Sequence, residues 1–178
     1  MVQGSGLICR MILLSCLAIF SLVPFTAKAE HALTINLDDN YYPYMYGTTD
    51  TPQGLYVEIL EAVFQHMQIP VHIKVTPWKR ALARADMGLN GVGGLYSNQE
   101  RLEKYDFSAP FFQEEMAIYQ ATSNQSKYKS LDDLADLNVG LIFGWSYGET
   151  LDQARRSNLF KTQTVRDNAQ GLRMVARG

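Results

Sequence analysis

The residues whose order carries the most chemistry run from Gly91 to Arg101: Gly91-Val92-Gly93-Gly94-Leu95-Tyr96-Ser97-Asn98-Gln99-Glu100-Arg101. Ser97 and Glu100 stand three apart, the spacing of a capping box, which predicts a short helix starting here. Backbone N–H groups at such a start, with the helix dipole behind them, favour an anion. Arg101 falls in the first turn, where its guanidinium can grip a carboxylate through two parallel hydrogen bonds. Gly94 and the glycines before it let a ligand approach the backbone. The plainer alternative is a capped surface helix whose Arg101 pairs with Glu103 or Asp106. The run matches no Walker or dinucleotide fingerprint.

A second candidate is aromatic. Tyr41, Tyr42, Tyr44 and Tyr46 crowd around Pro43. Alternation means that they cannot all point the same way, and at least half are expected to pack under their own loop. One or two facing a cleft would offer stacking surface and cation–π attraction for an ammonium, worth roughly 0.5–2 kcal/mol. Trp78 reads as packing at a helix start, and Lys79, Arg80 and Arg84 as a solvated face. Gly144-Trp145-Ser146-Tyr147-Gly148 spells a Gly-x-Ser-x-Gly elbow. That elbow needs a histidine after the serine, and the last histidine here is His72. His31, His66 and His72 have no paired ligand spacing, so neither metal nor cofactor is expected.

These residues need elements to position them. Leu33, Ile35 and Leu37 alternate as a strand, ended by Asp38-Asp39-Asn40. Leu55, Ile59, Leu60, Val63, Phe64 and Met67 recur at helical spacing, and the helix stops near Ile69-Pro70. Val71, Ile73 and Val75 alternate again. Thr76 is the expected N-cap of a short helix, Trp78 to Ala85, with Pro77 at its first position. A short strand lies within Gly88 to Gly94. The order strand, helix, strand, helix, strand predicts a parallel α/β sheet. The pattern then resets. Met116 to Gln120 reads as a strand, and Ala121 to Lys129 as a polar connection. Ser130, with Asp133 three residues on, opens a helix. A strand over Val139 to Phe143, a helix over Tyr147 to Arg156 and a strand over Thr162 to Val165 follow. Asp167 caps a last helix reaching Arg177.

Length and charge bound the rest. The chain has 178 residues and a net charge of −2. That is one ordinary domain or two small lobes. No cluster of four or more Lys and Arg occurs, which argues against a nucleic-acid partner. Met1 to Arg10 is a short leader, Met11 to Phe25 a nearly continuous apolar run, and Ala27-Lys28-Ala29 a small-x-small cleavage pattern. We expect a signal peptide over residues 1–29, cleaved after Ala29. The apolar run is shorter than the ~20 residues of a spanning helix. Cleavage would remove Cys9 and Cys16, leaving an exported chain without thiol or disulfide, suited to the periplasm.

The ordered motifs resemble the solute-binding protein family 3, the periplasmic polar amino-acid binding proteins of ABC importers. The matching segments are Tyr41-Tyr42-Pro43-Tyr44, Gly54 to Ile59, and Gly91 to Arg101 with Tyr105-Asp106-Phe107-Ser108-Ala109-Pro110-Phe111. Val139 to Gly144 also matches. The resemblance implies a bilobal, periplasmic-binding-protein-like (type II) α/β fold, with lobe 1 over 30–120 and a partial lobe 2 over 121–178. It implies that Arg101 holds an α-carboxylate, that Tyr96 and Gly94 lie beside it, and that Tyr41 is a platform. Ser146 and Tyr147 would close from the second lobe. Tyr96 and Trp145 depart from the small hydroxyl residues common in the family, which leaves the ligand's identity open.

The implied function is capture of a small polar carboxylate, such as an amino acid, by a non-enzymatic monomer that delivers it to an ABC permease. Two alternatives stand beside it. One is an enzyme on the same scaffold, similar to cyclohexadienyl dehydratases, with Glu58 or Glu149 as general acid. The other is an extracellular sensing module. Against the family's usual length, the first lobe is nearly complete and the second is not. The expectation is therefore a C-terminally truncated member lacking a complete ammonium site.

Overall fold

The computed structural model describes residues 32–124 and 126–177. The expected leader, its cleavage site, both cysteines and His31 lie outside the described residues.

The alternation at the start produces β1, Leu33–Asp38. The tyrosine-rich stretch folds as a small antiparallel unit of β2 (Asn40–Tyr41), β3 (Met45–Thr48) and β4 (Thr51–Gln53), with Tyr41 opposite Met45. Gly54 then turns the chain at φ +114°, where a side chain would meet the Tyr44 carbonyl oxygen at 2.4 Å. Helix α1, Leu55–Met67, follows and buries Tyr56 and Val57. Gln68 ends it in the left-handed conformation, and the Ile69 N–H returns to the Phe64 carbonyl at 3.1 Å.

Strand β5 (Val71–Thr76), helix α2 (Trp78–Asp86) and strand β6 (Gly91–Val92) complete the first unit. The sheet is parallel in the order β5-β1-β6, with Leu33 opposite Val71 and Ile35 opposite Gly91. As the central strand, β1 buries both phases of its alternation: Ile35 and Leu37, but also Asn36 and Asp38. The expected cap at Thr76 is corrected. Thr76 pairs with Asp38 in the ladder, its hydroxyl is buried without a partner, and Pro77 is the residue before the first turn.

Helix α3 is short, Gln99–Leu102, and its cap is Asn98 rather than Ser97. The Asn98 Oδ1 accepts from the Arg101 N–H at 2.9 Å. Met116 to Gln120 is not a strand. Nothing among the described residues pairs with it, and Met116, Ile118 and Tyr119 are exposed. A strand is defined by its neighbour, and apolar alternation alone does not supply one.

In the second segment, Ser130 and Asp133 form the expected capping box over a 3₁₀ turn, Leu131–Leu134. Strand β7 (Asn138–Ile142), helix α4 (Glu149–Arg156), strand β8 (Lys161–Val165) and helix α5 (Asn168–Arg177) follow. β7 and β8 pair in parallel, Asn138 opposite Lys161. α4 starts two residues later than the expected Tyr147, where Ser146 and Tyr147 are held by Asp152 instead of continuing the helix. Asp167 caps α5, accepting from the Gln170 N–H at 2.7 Å.

Leu134, Leu141 and Phe160 form a core beneath β7. The larger core joins Leu37, Val57, Val75 and Ala81 to Ile142, Trp145 and Val165 of the second segment. Full burial of a Val, Leu or Ile side chain contributes about 1.5–3 kcal/mol.

Candidate functional site

Three chain segments meet at the carboxyl ends of the parallel strands, where open α/β sheets hold ligands. Asp38 ends β1, Gly93-Gly94 follows β6, and Phe143 to Tyr147 follows β7. Five of the residues chosen from sequence, Tyr41, Gly94, Tyr96, Arg101 and Ser146, line one cavity there, completed by Met45, Trp78 and Trp145. Its volume is about 10 Å³, room for roughly one water. Tyr147 is not part of it. Its hydroxyl accepts the Ile142 N–H at 2.8 Å, within its own segment.

Arg101 bridges two segments. Its Nη1 donates to the Tyr96 carbonyl at 2.8 Å and its Nη2 to the Gly144 carbonyl at 2.9 Å. The pairing with Glu103 or Asp106 does not form: Glu103 accepts from Gln99, and no described carboxylate forms an ion pair with Arg101. Burial lowers the pKa of its guanidinium from the ordinary value. Trp78 points its indole N–H at the same Gly144 carbonyl, at 2.9 Å. Gly94 adopts φ +66°, and a side chain there would meet Met45 and Tyr56 at 2.9 Å. The backbone therefore comes close to those side chains, a fit only glycine allows.

Sequence reasoning missed four polar residues that organise this region. Asp152 is fully buried. It accepts from the Ser146 hydroxyl, from the Asn98 amide at 3.0 Å and from the Tyr147 N–H at 3.2 Å. The Asn98 amide also donates to Ser146 at 3.1 Å. Asn98 thus caps the helix that carries Arg101 and ties it to the second segment. Asp38 accepts the Trp145 indole N–H at 3.1 Å and the Asn40 N–H at 3.1 Å, while burial raises its carboxyl pKa. The Trp145 ring stands edge-on to Tyr41, centroids 4.6 Å apart.

The fourth is Glu114. One carboxylate oxygen accepts both the Tyr41 and the Tyr96 hydroxyls, and the other is buried without a partner. Burial raises its pKa. Phe111 and Phe112, just before it, pack on Tyr56 and Tyr44 and fix the segment. The signal in the sequence was weak, since Gln113-Glu114-Glu115 looks like a solvated polar run.

The general-acid candidates are placed elsewhere. Glu58 is exposed on α1 and lines a separate groove of about 390 Å³ between Pro43, Gly54 and Glu61. No basic residue lines that groove. Glu149 is exposed, accepts the Gln99 N–H and pairs with Arg156. Among the described residues, no group of His, Cys, Asp and Glu is arranged to hold a metal. No described helix is long and apolar enough to cross a membrane.

Comparison with known proteins follows the same lines. The model for bacterial extracellular solute-binding proteins, family 3, matches residues 33–175. The L-cystine-binding protein TcyJ of Escherichia coli (strain K12) is 30% identical over 132 residues, covering 71% of this chain and 48% of that protein. The probable amino-acid-binding protein YxeM of Bacillus subtilis (strain 168) is 22% identical over 151 residues, 84% of this chain and 57% of its own. The crystal structure of the ancestral amino acid-binding protein AncCDT-1, a precursor of cyclohexadienyl dehydratase, superposes with a TM-score of 0.67. Its sequence identity is 25%, over 83% of this chain and 67% of that one. The chain thus spans about half the length of the curated relatives it matches. It belongs to the family 3 solute-binding proteins and has their periplasmic-binding-protein α/β fold.

Proposed function

We propose that this family member captures a small polar molecule bearing a carboxylate, an amino acid or a close relative, with Arg101 as the carboxylate anchor. The observation that carries the reading is the state of the guanidinium. It is half-buried among aromatic walls, and among the described residues its bonds go to neutral carbonyls, Tyr96 and Gly144. A carboxylate offers it a stronger, charge-assisted acceptor with matching fork geometry. Gly94 and Tyr96 flank the anchor, Tyr41 supplies a ring face, and Ser146 approaches from the second segment.

The cavity of about 10 Å³ is too small for an amino acid. Binding therefore requires Tyr41 and Trp145 to part, and the ligand then bridges both segments and shifts the population toward its closed form. The residue split is lobe 1 over 30–120 and part of lobe 2 over 121–178. Tyr147 acts by shaping the second segment. Residues 1–29 direct export to the periplasm, where the monomer would deliver its ligand to an ABC permease.

The test is a thermal-shift screen of L-amino acids followed by calorimetry on wild type and Arg101→Ala. Loss of two charge-assisted bonds should weaken binding by about 100-fold or more. Equal affinities in the two proteins refute the anchor. Incubation with prephenate tests the enzymatic alternative, and release of an aromatic product would replace the binding reading.

A further inference from the structure

We infer that Glu114 is the counter-charge for a cationic group on the ligand, so that the site selects a molecule with a carboxylate at one end and an ammonium or guanidinium along its chain. The inference rests on the Arg101 anchor and extends it.

Glu114 is an uncompensated acid. Among the described residues its hydrogen-bond partners are the Tyr41 and Tyr96 hydroxyls, which meet on one oxygen, while the other oxygen is enclosed with no partner there. It forms no ion pair with any described Lys, Arg or His. A carboxylate withdrawn from water without a cation is unfavourable, and such groups concentrate where a ligand completes them. The burial that raises its pKa expresses the same imbalance.

The surroundings suit a cation. Tyr41 and Tyr96, the two residues that hold Glu114, also line the cavity beside Arg101. Their ring faces attract a positive charge. Phe112 packs on Tyr44 and Tyr56 and keeps the Glu114 segment in place, so the acid is pre-positioned.

The separation of the two charges decides which cation is meant. Tyr96 touches both: its backbone carbonyl accepts from Arg101 and its phenol hydroxyl donates to Glu114. Anchor and counter-charge therefore stand at opposite ends of one tyrosine. The α-ammonium of an amino acid is attached next to the carboxylate and is too close to reach. A side-chain ammonium or guanidinium has the needed reach.

Calorimetry of the full chain with L-lysine, L-arginine and L-norleucine tests this. Norleucine is lysine without the terminal ammonium. Lysine or arginine should bind about 10-fold or more tighter than norleucine. Glu114→Gln should erase that preference. Equal binding of lysine and norleucine to the wild type overturns the inference while the carboxylate anchor stands. A Glu114→Gln variant that keeps the preference overturns it too. If no probe binds, the anchor and the inference fall together. The wild-type comparison needs no variant, so a folding defect in Glu114→Gln does not blunt the test.

Discussion

Removing the Asp152 carboxylate should unsettle the fold and the site together. Asp152 has 0% exposure and gathers three donors: the Ser146 hydroxyl, the Asn98 amide and the Tyr147 N–H. In Asp152→Ala the Tyr147 N–H loses its partner outright, and the Ser146 hydroxyl loses its acceptor. Asn98 retains Ser146. Each stranded buried donor costs about 1–3 kcal/mol. The Arg155 pair adds little, because that arginine is 32% exposed at 3.5 Å and keeps its water. Relief from burying a carboxylate offsets part of the loss. The balance is a destabilisation of about 3 kcal/mol, a large fraction of the ~5–15 kcal/mol that holds a typical domain.

The assay is urea unfolding followed by tyrosine and tryptophan fluorescence, with a thermal melt beside it. Asp152→Ala should lower the melting point by roughly 6–12 °C. Asp152→Asn keeps the shape and one acceptor but turns an amide donor toward existing donors, so it should fall about midway. Ser146→Ala removes one donor and should cost about 1 kcal/mol. Combined with Asp152→Ala it should cost less than the sum, because the two share a bond. An Asp152→Ala protein within about 1 kcal/mol of wild type would refute the reasoning.

Other expectations concern single contacts. Trp145→Phe leaves one oxygen of the buried Asp38 without its donor, while the other keeps the Asn40 N–H, and should cost about 1–3 kcal/mol by urea titration. In an Asp38→Asn background the same change should cost less, and equal costs would break the proposed coupling. Gly54→Ala places a methyl 2.4 Å from the Tyr44 backbone oxygen, whereas Gly94→Ala meets side-chain atoms, the Met45 end and the Tyr56 ring, at 2.9 Å. Gly54→Ala should therefore be the more destabilising in melts, and the reverse order would contradict the packing. Glu114 has a folded pKa raised above its ordinary 4.5. Its contribution to stability is present below that value and is lost as pH rises through the folded pKa. The melting-point gain of Glu114→Gln over wild type should grow from pH ~4 toward neutrality, and parallel pH profiles would refute it.

The elements that were legible in the sequence are those whose signal is local. Ile35 and Leu37 show as a strand because they are buried in β1, although Asn36 and Asp38 on its other face are buried too. The apolar period of α1 marks the helix even though Leu55, Val63 and Met67 stay exposed. The misreadings are tertiary. Ser97 and Asn98 are equally good local caps. Asn98 wins because its amide reaches Ser146 and Asp152, about fifty residues away in sequence. A helix is expected from Tyr147, yet Asp152 holds the Tyr147 N–H and α4 begins at Glu149. Met116 to Gln120 alternates like a strand but finds no partner among the described residues. Glu114 carried a weak signal and Asp152 none, since an acid in a polar run looks solvated until the fold encloses it.

That contrast bears on how the site would work. The residues legible in the sequence, Arg101 and Tyr41, would touch a ligand. Of those that were not, Asn98, Asp152 and Asp38 hold the segments against each other, and Glu114 would meet the ligand. Arg101 sits in both groups. Its two donors now tie Tyr96 to Gly144, so a ligand carboxylate must compete with the molecule's own carbonyls for the same N–H groups. The affinity is the difference between a charge-assisted pair and a neutral one, reduced by parting Tyr41 from Trp145. Weakening the internal clasp without touching Arg101 should then tighten binding. Trp78→Phe removes one of the two donors on the Gly144 carbonyl, which frees that oxygen to hold Arg101 more firmly and should weaken it. Opposite responses to these two kinds of change would identify the clasp as a competitor of the ligand.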